Sequence, residues 1–401
     1  MRGFCFLMLG ACLAFMPSAK AMDFTFDGYA DARVIIPVME RSWVDGGEGK
    51  LRFGGNQPSP NLRLVEAIGQ ASLALTSDLT LISVLRIEPE QRSGVDALET
   101  YLAWRPQADG DWQYAAKAGA FFPTISLEND DLGWASPYTL TPSAINSWIG
   151  EELRTIGGEG TLTRHTDWGT ISAVGALMCC NEVAGVLIAD RGWALDDRPT
   201  GLFERIRIPD ATVKLFGGHG PGRTGEFDDI DGHVGWYAGL NWDVPGWARV
   251  SLLRYDNNAD PFAFTANDSS WLTRFWSGAI KTNVAGVTVL AQGLSGDTAI
   301  GFSGKLSVTN FQSAFLLASY DIGDWRLSAR TEAFQTRHPG FRAMDEDGDA
   351  FTLALIWSTT DWLRLSAEAL ALDSHRTERL VQGLAPGQNG LQFQVGARAF
   401  F

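Results

Sequence analysis

The sequence predicts an all-β protein: a transmembrane antiparallel barrel of sixteen strands, with eighteen as the fallback. Three observations carry this expectation. Blocks of about ten residues alternate apolar and polar from residue 22 onward, the length and period of a tilted membrane strand with one face to lipid. A tryptophan follows a short polar turn at Asp111-Trp112, Asp167-Trp168, Gly246-Trp247, Asp324-Trp325 and Asp361-Trp362. The chain closes on an alternating apolar row, Leu391, Phe393, Val395, Ala397, Ala399 and Phe401.

The opening segment comes before the barrel. Arg2 is followed by an apolar run from Phe4 to Met16, and Ser18-Ala19-Lys20-Ala21 ends in a cleavage pattern. Residues 1–21 therefore read as a secretory signal peptide and 22–401 as one barrel domain. Leu9-Gly10-Ala11-Cys12 offers a lipobox alternative, which the apolar run past Cys12 disfavours. No later stretch supplies the ~20 apolar residues of a spanning helix.

Composition removes several function classes. Taking Arg2 and Lys20 from the 32 basic residues leaves 30 against 47 acidic ones, a net −17. Nucleic-acid binding, which needs clustered positive charge, is not expected. Cys179 and Cys180 have no partners at metal-binding spacing, so they read as a loop pair, free or joined to each other, and no cofactor or metal is expected.

The turns fix the strand count. They pair blocks 62–76 with 79–88, 96–105 with 112–122, 154–164 with 168–178, 233–242 with 247–256, 272–282 with 287–294, 312–320 with 325–334, and 351–358 with 362–372. Phe24 to Ile36 and Leu391 to Phe401 complete sixteen strands and put both termini on the short-turn side, the periplasmic side of bacterial barrels. Long connections fall at 37–61, 123–153, 179–232, 257–271, 295–311, 335–350 and 373–390. In 179–232, Val186 to Trp193 and Ile206 to Leu215 are the two segments that would make eighteen strands. Tryptophan suits the membrane boundary because its ring is apolar and its N–H is not. A barrel of this size leaves an aqueous lumen, whereas smaller barrels fill theirs with side chains.

Alternation points Arg33, Arg86, Arg105, Lys117, Arg249, Lys281, Arg326, Arg330, Arg364 and Arg398 inward. It does the same for Asp27, Asp31, Glu66, Glu88, Glu99, Glu159, Glu332 and Glu368. So many charges argue for a hydrated interior, since unpaired burial is costly. The long connection 123–153 is the candidate constriction. It holds Glu128, Asp130 and Asp131, the aromatics Trp134, Tyr138 and Trp148, and a helical turn near Pro142 to Trp148. Folded inward, its acidic trio would face Arg86 and Lys117, and opposed charges select ions by sign. Left outside, its aromatics would pack on a neighbouring subunit, as in a homotrimer.

The stretch Lys117-Ala-Gly-Ala-Phe-Phe-Pro-Thr-Ile-Ser-Leu-Glu128 resembles a segment of the phosphate-selective porin family. The resemblance spans about a dozen residues and departs at Phe121 and at Thr124-Ile125. It implies a sixteen-stranded outer-membrane porin of a Gram-negative bacterium. An arginine- and lysine-rich phosphate ladder is not evident, because inward acids nearly match inward bases.

The reading is then a porin passing small hydrophilic solutes or ions, set among outer-membrane lipid and lipopolysaccharide. Phe393, Val395 and Phe401 supply the signal read by the barrel assembly machinery. The alternatives are a barrel enzyme and a non-conducting anchoring or adhesion barrel. Catalysis is not expected, because His165, His219, His233, His338 and His375 lack a recognisable nucleophile motif. Asp345-Glu-Asp-Gly-Asp349 lacks the ligand spacing of an EF-hand and reads as a solvated acidic loop, or one holding divalent ions between lipopolysaccharide phosphates.

Overall fold

A computed structural model describes residues 23–38, 40–55, 59–215, 222–340 and 342–401. The signal peptide expected at 1–21 and His219 lie outside the described residues. The chain closes on itself as a sixteen-stranded antiparallel barrel. The first strand, Phe24–Ile36, pairs with the last, Gly387–Phe400, from Tyr29↔Phe400 to Ile36↔Phe393. Each remaining pair joins wall strands consecutive in the chain, from Asn61–Ala74 beside Leu79–Ile87 to Glu346–Thr360 beside Leu363–Arg376.

Period-two alternation forms these strands because lipid lies on one side and a polar interior on the other. In the last strand Leu391, Phe393 and Val395 face outward and are exposed, while Gln392, Gln394 and Arg398 are buried within. The five post-turn tryptophans, Trp112, Trp168, Trp247, Trp325 and Trp362, are exposed along the short-turn rim. Trp242 and Trp357 join them through ring contacts with Trp168 at 6.0 Å and Trp325 at 4.8 Å. Another short turn, Ala285-Gly286, has φ of 53° and 85°, the left-handed pair of a two-residue hairpin whose twist matches its strands.

Three expected connections differ. Residues 295–311 are mostly strand: Val287–Phe302 and Lys305–Ile322 run as one long hairpin. Its turn is Ser303-Gly304, both at positive φ. The acidic run at 345–349 begins the strand Glu346–Thr360, and Glu346 is buried against Lys50 at 2.6 Å. Residues 179–232 add no wall strand. Val186–Asp190 and Asp210–Leu215 are helices, and Ile206–Arg207 pairs only with Arg223–Thr224. Val186 cannot extend as a strand where it lies, since neighbouring N–H groups of Gly185 and Leu187 donate to the Glu152 carboxylate.

The interior is packed. Counting the short connection after Leu79–Ile87, the third loop on the long-loop side is residues 122–154 and the fourth is residues 180–234; the third lies inside the barrel and carries helix α1, Ala144–Glu152, every residue of which is buried. Pro142 and Ser143 start it: the Ser143 hydroxyl caps the helix by accepting the Asn146 N–H at 3.3 Å. Trp148 sits between the wall rings of Phe275 and Phe311, at 5.5 and 5.2 Å, and Trp193 of the fourth loop at 6.0 Å.

Candidate functional site

The site is the seam where the loops meet the wall. On one side, the strand Trp325–Arg337 sends Arg330 inward to Glu128 of the third loop at 2.8 Å, with both side chains fully buried. The same guanidinium donates to the carbonyls of Thr141 and Pro142 and reaches Glu332 at 2.9 Å. Glu332 accepts the Ala144 N–H at the start of α1, and Glu368 accepts the N–H groups of Leu140 and Thr141. Wall carboxylates and one arginine thus satisfy the backbone of a loop that would otherwise bury unpaired polar groups.

A second network continues along the wall, joined to the first by Gln394, which accepts from Arg33 and donates to Glu368. Arg33 reaches Asp31 at 2.9 Å and Asp197 at 2.7 Å. Arg86 reaches Glu66 at 2.9 Å and Glu88 at 2.8 Å. Arg52 of the first loop and Arg198 of the fourth also bind Glu88, at 2.6 and 3.0 Å. Burial alone would raise the Asp197 carboxyl, but Arg33 and Arg52 outweigh it and hold it below the usual range. Pairing of this kind offsets much of the cost of removing charges from water.

The remaining sequence-derived residues fall as follows. Lys117 meets Glu159 at 3.5 Å, and Glu99 accepts the Phe122 N–H at 2.9 Å. Arg105 and Arg249 are exposed near the short-turn rim, and Arg326 pairs with Asp321 at 2.7 Å. Asp130 and Asp131 meet Lys281 at 3.3 Å and Arg364 at 3.7 Å. The acidic trio therefore faces Lys281, Arg330 and Arg364, and the expectation that it faces Arg86 and Lys117 is corrected. Those two cations are taken by wall acids nearer in the sheet. Phe393 and Val395 face outward, and the Phe401 ring stacks on Phe26 at 5.8 Å. Gly28 and Phe401 exchange backbone hydrogen bonds at 2.9 and 3.0 Å. Cys179 and Cys180 are joined to each other.

Sequence reasoning missed the loop cations and acids. Arg52, Asp197 and Arg198 complete the second network, Arg191 binds Glu151 at 2.7 Å, and Arg154 lies 3.4 Å from the Phe122 ring centre. None sits in a periodic segment, so no pattern marks it as buried. The expected hydrated lumen is corrected at this level: Arg33, Arg86 and Arg330 are at most 1% exposed beneath the loops. Toward the short-turn rim, Lys281, Arg326, Arg364 and Asp130 stay partly open.

No protein-family model matches the chain, and no curated protein matches its sequence. Solved structures match its fold. The outer membrane channel DcaP of Acinetobacter baumannii superposes with a TM-score of 0.60, covering 97% of this chain and 100% of that one at 9% identity. The chain has the outer-membrane porin fold. The trimer form of in-vitro folded OmpT, an outer membrane protein of Vibrio cholerae, gives 0.52 over 95% of this porin-like barrel and 100% of its own chain, at 9% identity. An anion-selective porin from Comamonas acidovorans gives 0.50 over 95% and 100%, at 15% identity. These identities relate folds and leave the solute open.

Proposed function

We propose that this porin-like barrel is a diffusion channel for small hydrophilic solutes or ions, narrowed by its third loop and sealed in this state by the fourth. The observation that carries the reading is the third loop itself. A sixteen-stranded wall encloses more space than its own side chains fill, and residues 122–154 occupy that space through salt bridges to Lys281, Arg330 and Arg364. Ion pairs and hydrogen bonds hold a loop yet can be exchanged for water, which suits a movable constriction better than a permanent core. The half-open charges below the seam, Lys281, Arg326, Arg364, Asp130 and Asp131, would then meet a solute next and bias its charge.

The reading is transport and not catalysis. His165 meets the Thr170 side chain across its hairpin, and His233 and His338 meet Asp231 and Asp345 in loops. Three further readings belong to this proposal: export by the signal peptide, an outer-membrane setting among lipopolysaccharide, and assembly as a homotrimer. The trimer form among the matched structures supports the last.

Reconstitution in a planar bilayer tests it. Stepwise openings with a reversal potential in a salt gradient are the expected result. A folded protein that never conducts, even with the third loop's salt bridges removed, would leave an anchoring barrel or an enzyme as the function.

A further inference from the structure

The fourth loop begins just after the strand Gly169–Cys179 and ends just before Gly235–Val244. Its two ends bring three carboxylates together. Glu182 stands at the start, and Asp229 and Asp231 at the end, with one oxygen of each within 4.8 Å of the others. Acidic clusters on loops are common and by themselves mean little. Here Glu182 differs: it is 1% exposed, and its Oε2 has no hydrogen-bond partner. Its other oxygen accepts only the Cys180 N–H, at 3.3 Å. Among the described residues no lysine or arginine forms a salt bridge with any of the three. The nearest base is His233, 3.4 Å from Asp231. The buried Glu88, by contrast, meets the guanidinium groups of Arg52, Arg86 and Arg198.

We propose that Glu182, Asp229 and Asp231 form a calcium site that staples the two ends of the fourth loop together. Three carboxylates without a cation repel one another and burying one is costly, whereas a divalent ion removes both penalties. All-oxygen ligands select a hard cation. Oxygens on opposite sides of Ca²⁺ are about 4.6–5.2 Å apart, given its bond lengths of about 2.3–2.6 Å, so the observed spread fits one ion. Mg²⁺ requires a tighter shell, near 2.1 Å. Carbonyls and water complete the flexible coordination that calcium accepts. Asp229 is exposed, which gives the ion a way in from outside. Asp231 also accepts the Ser270 hydroxyl at 3.4 Å and the Asp260 N–H, so the staple extends to the fifth loop.

Terbium, a luminescent stand-in for calcium, provides the test. Trp271 adjoins the site, its backbone N–H donating to the Glu182 backbone carbonyl at 2.6 Å, so tryptophan excitation sensitises a bound ion. The full chain, refolded in detergent without lipopolysaccharide, should show saturable terbium emission that calcium displaces. Glu182→Gln should weaken terbium binding tenfold or more. Asp229→Asn should do the same, and it keeps the oxygen that accepts the Gly232 N–H, so the turn survives. Asp347→Asn, a surface acid elsewhere, should change nothing. Heat-modifiable migration verifies that each variant is folded. Absent emission in the wild type, or equal affinity in folded Asp229→Asn, overturns the site.

Discussion

Arg330 of the wall and Glu128 of the third loop meet at 2.8 Å with neither side chain reachable by solvent. A buried pair adds little net stability over an apolar one, but breaking it from one side leaves a naked charge, at a cost of about 3–5 kcal/mol. Arg330→Met should therefore expel the third loop while the wall, held by strand pairing, stays folded. The expected outcome is larger single-channel conductance and new proteolytic cleavage between residues 122 and 154, with heat-modifiable migration retained. Unchanged conductance in a folded variant would show that the pair does not hold the constriction.

Trp148 sets the apolar half of the same closure. Its ring fills the space between Phe275, Phe311 and Trp193. Trp148→Ala should cost the docked loop about 3–5 kcal/mol through lost burial and the cavity left behind. Trp168→Ala, at a tryptophan that is 57% exposed on the outer rim, should leave permeation as it was. Liposome swelling with sugars of increasing size distinguishes the two: only the first variant should admit larger solutes.

The last rung of the barrel gives a third expectation. Phe401 exchanges two backbone hydrogen bonds with Gly28 and stacks on Phe26. Deleting it removes these contacts at the point where the first and last strands join. The folded fraction in outer membranes should fall, while molecules that do assemble should conduct normally. Full assembly of the deletion variant in cells would count against a role in closure or recognition.

What was legible in the sequence follows from where lipid acts. Lipid imposes apolar alternation on Phe24–Ile36 and Gly387–Phe400, and the interface imposes Trp168 and Trp362 after their turns, so strands, rim and closure could be read directly. Above the membrane that constraint lapses. The hairpin through Ser303-Gly304 is rich in serine, glycine and threonine and looks like a loop, although it pairs residue by residue from Val287↔Tyr320 to Phe302↔Lys305. The inward fold of the third loop could be argued from its length and aromatics, but its partners could not. Glu128 finds Arg330, two hundred residues on, because the barrel's curvature brings that strand opposite, and curvature leaves no mark in local spacing. The fourth loop left still less. Asp197 and Arg198 lie in a mixed run without period, and only the folded lumen makes them core residues.

The closure should also respond to pH. Glu152, at the end of α1, accepts the N–H groups of Gly185 and Leu187 and so ties the third loop to the fourth. Glu226 of the fourth loop is also fully buried, and neither of its carboxyl oxygens has a hydrogen-bond partner. Burial is the main cause that lifts both: Glu152 rises to about 7, and Glu226 rises well above its ordinary range with the Glu152 charge adding to the effect. In a loop released to water both would titrate near the ordinary value of about 4.3. The docked form thus binds protons more tightly than the released form. Its stabilisation is complete below that ordinary value and is lost as pH rises through about 7 and beyond. Conductance in planar bilayers should therefore increase as pH rises from about 5 through about 7, with Glu226 extending the response to higher pH. Glu226→Gln carries no charge and no titrating proton, so it should flatten this response and favour the closed state at alkaline pH. A wild-type conductance that is constant over the range, or a Glu226→Gln variant with the wild-type profile, would remove the pair from the closing mechanism.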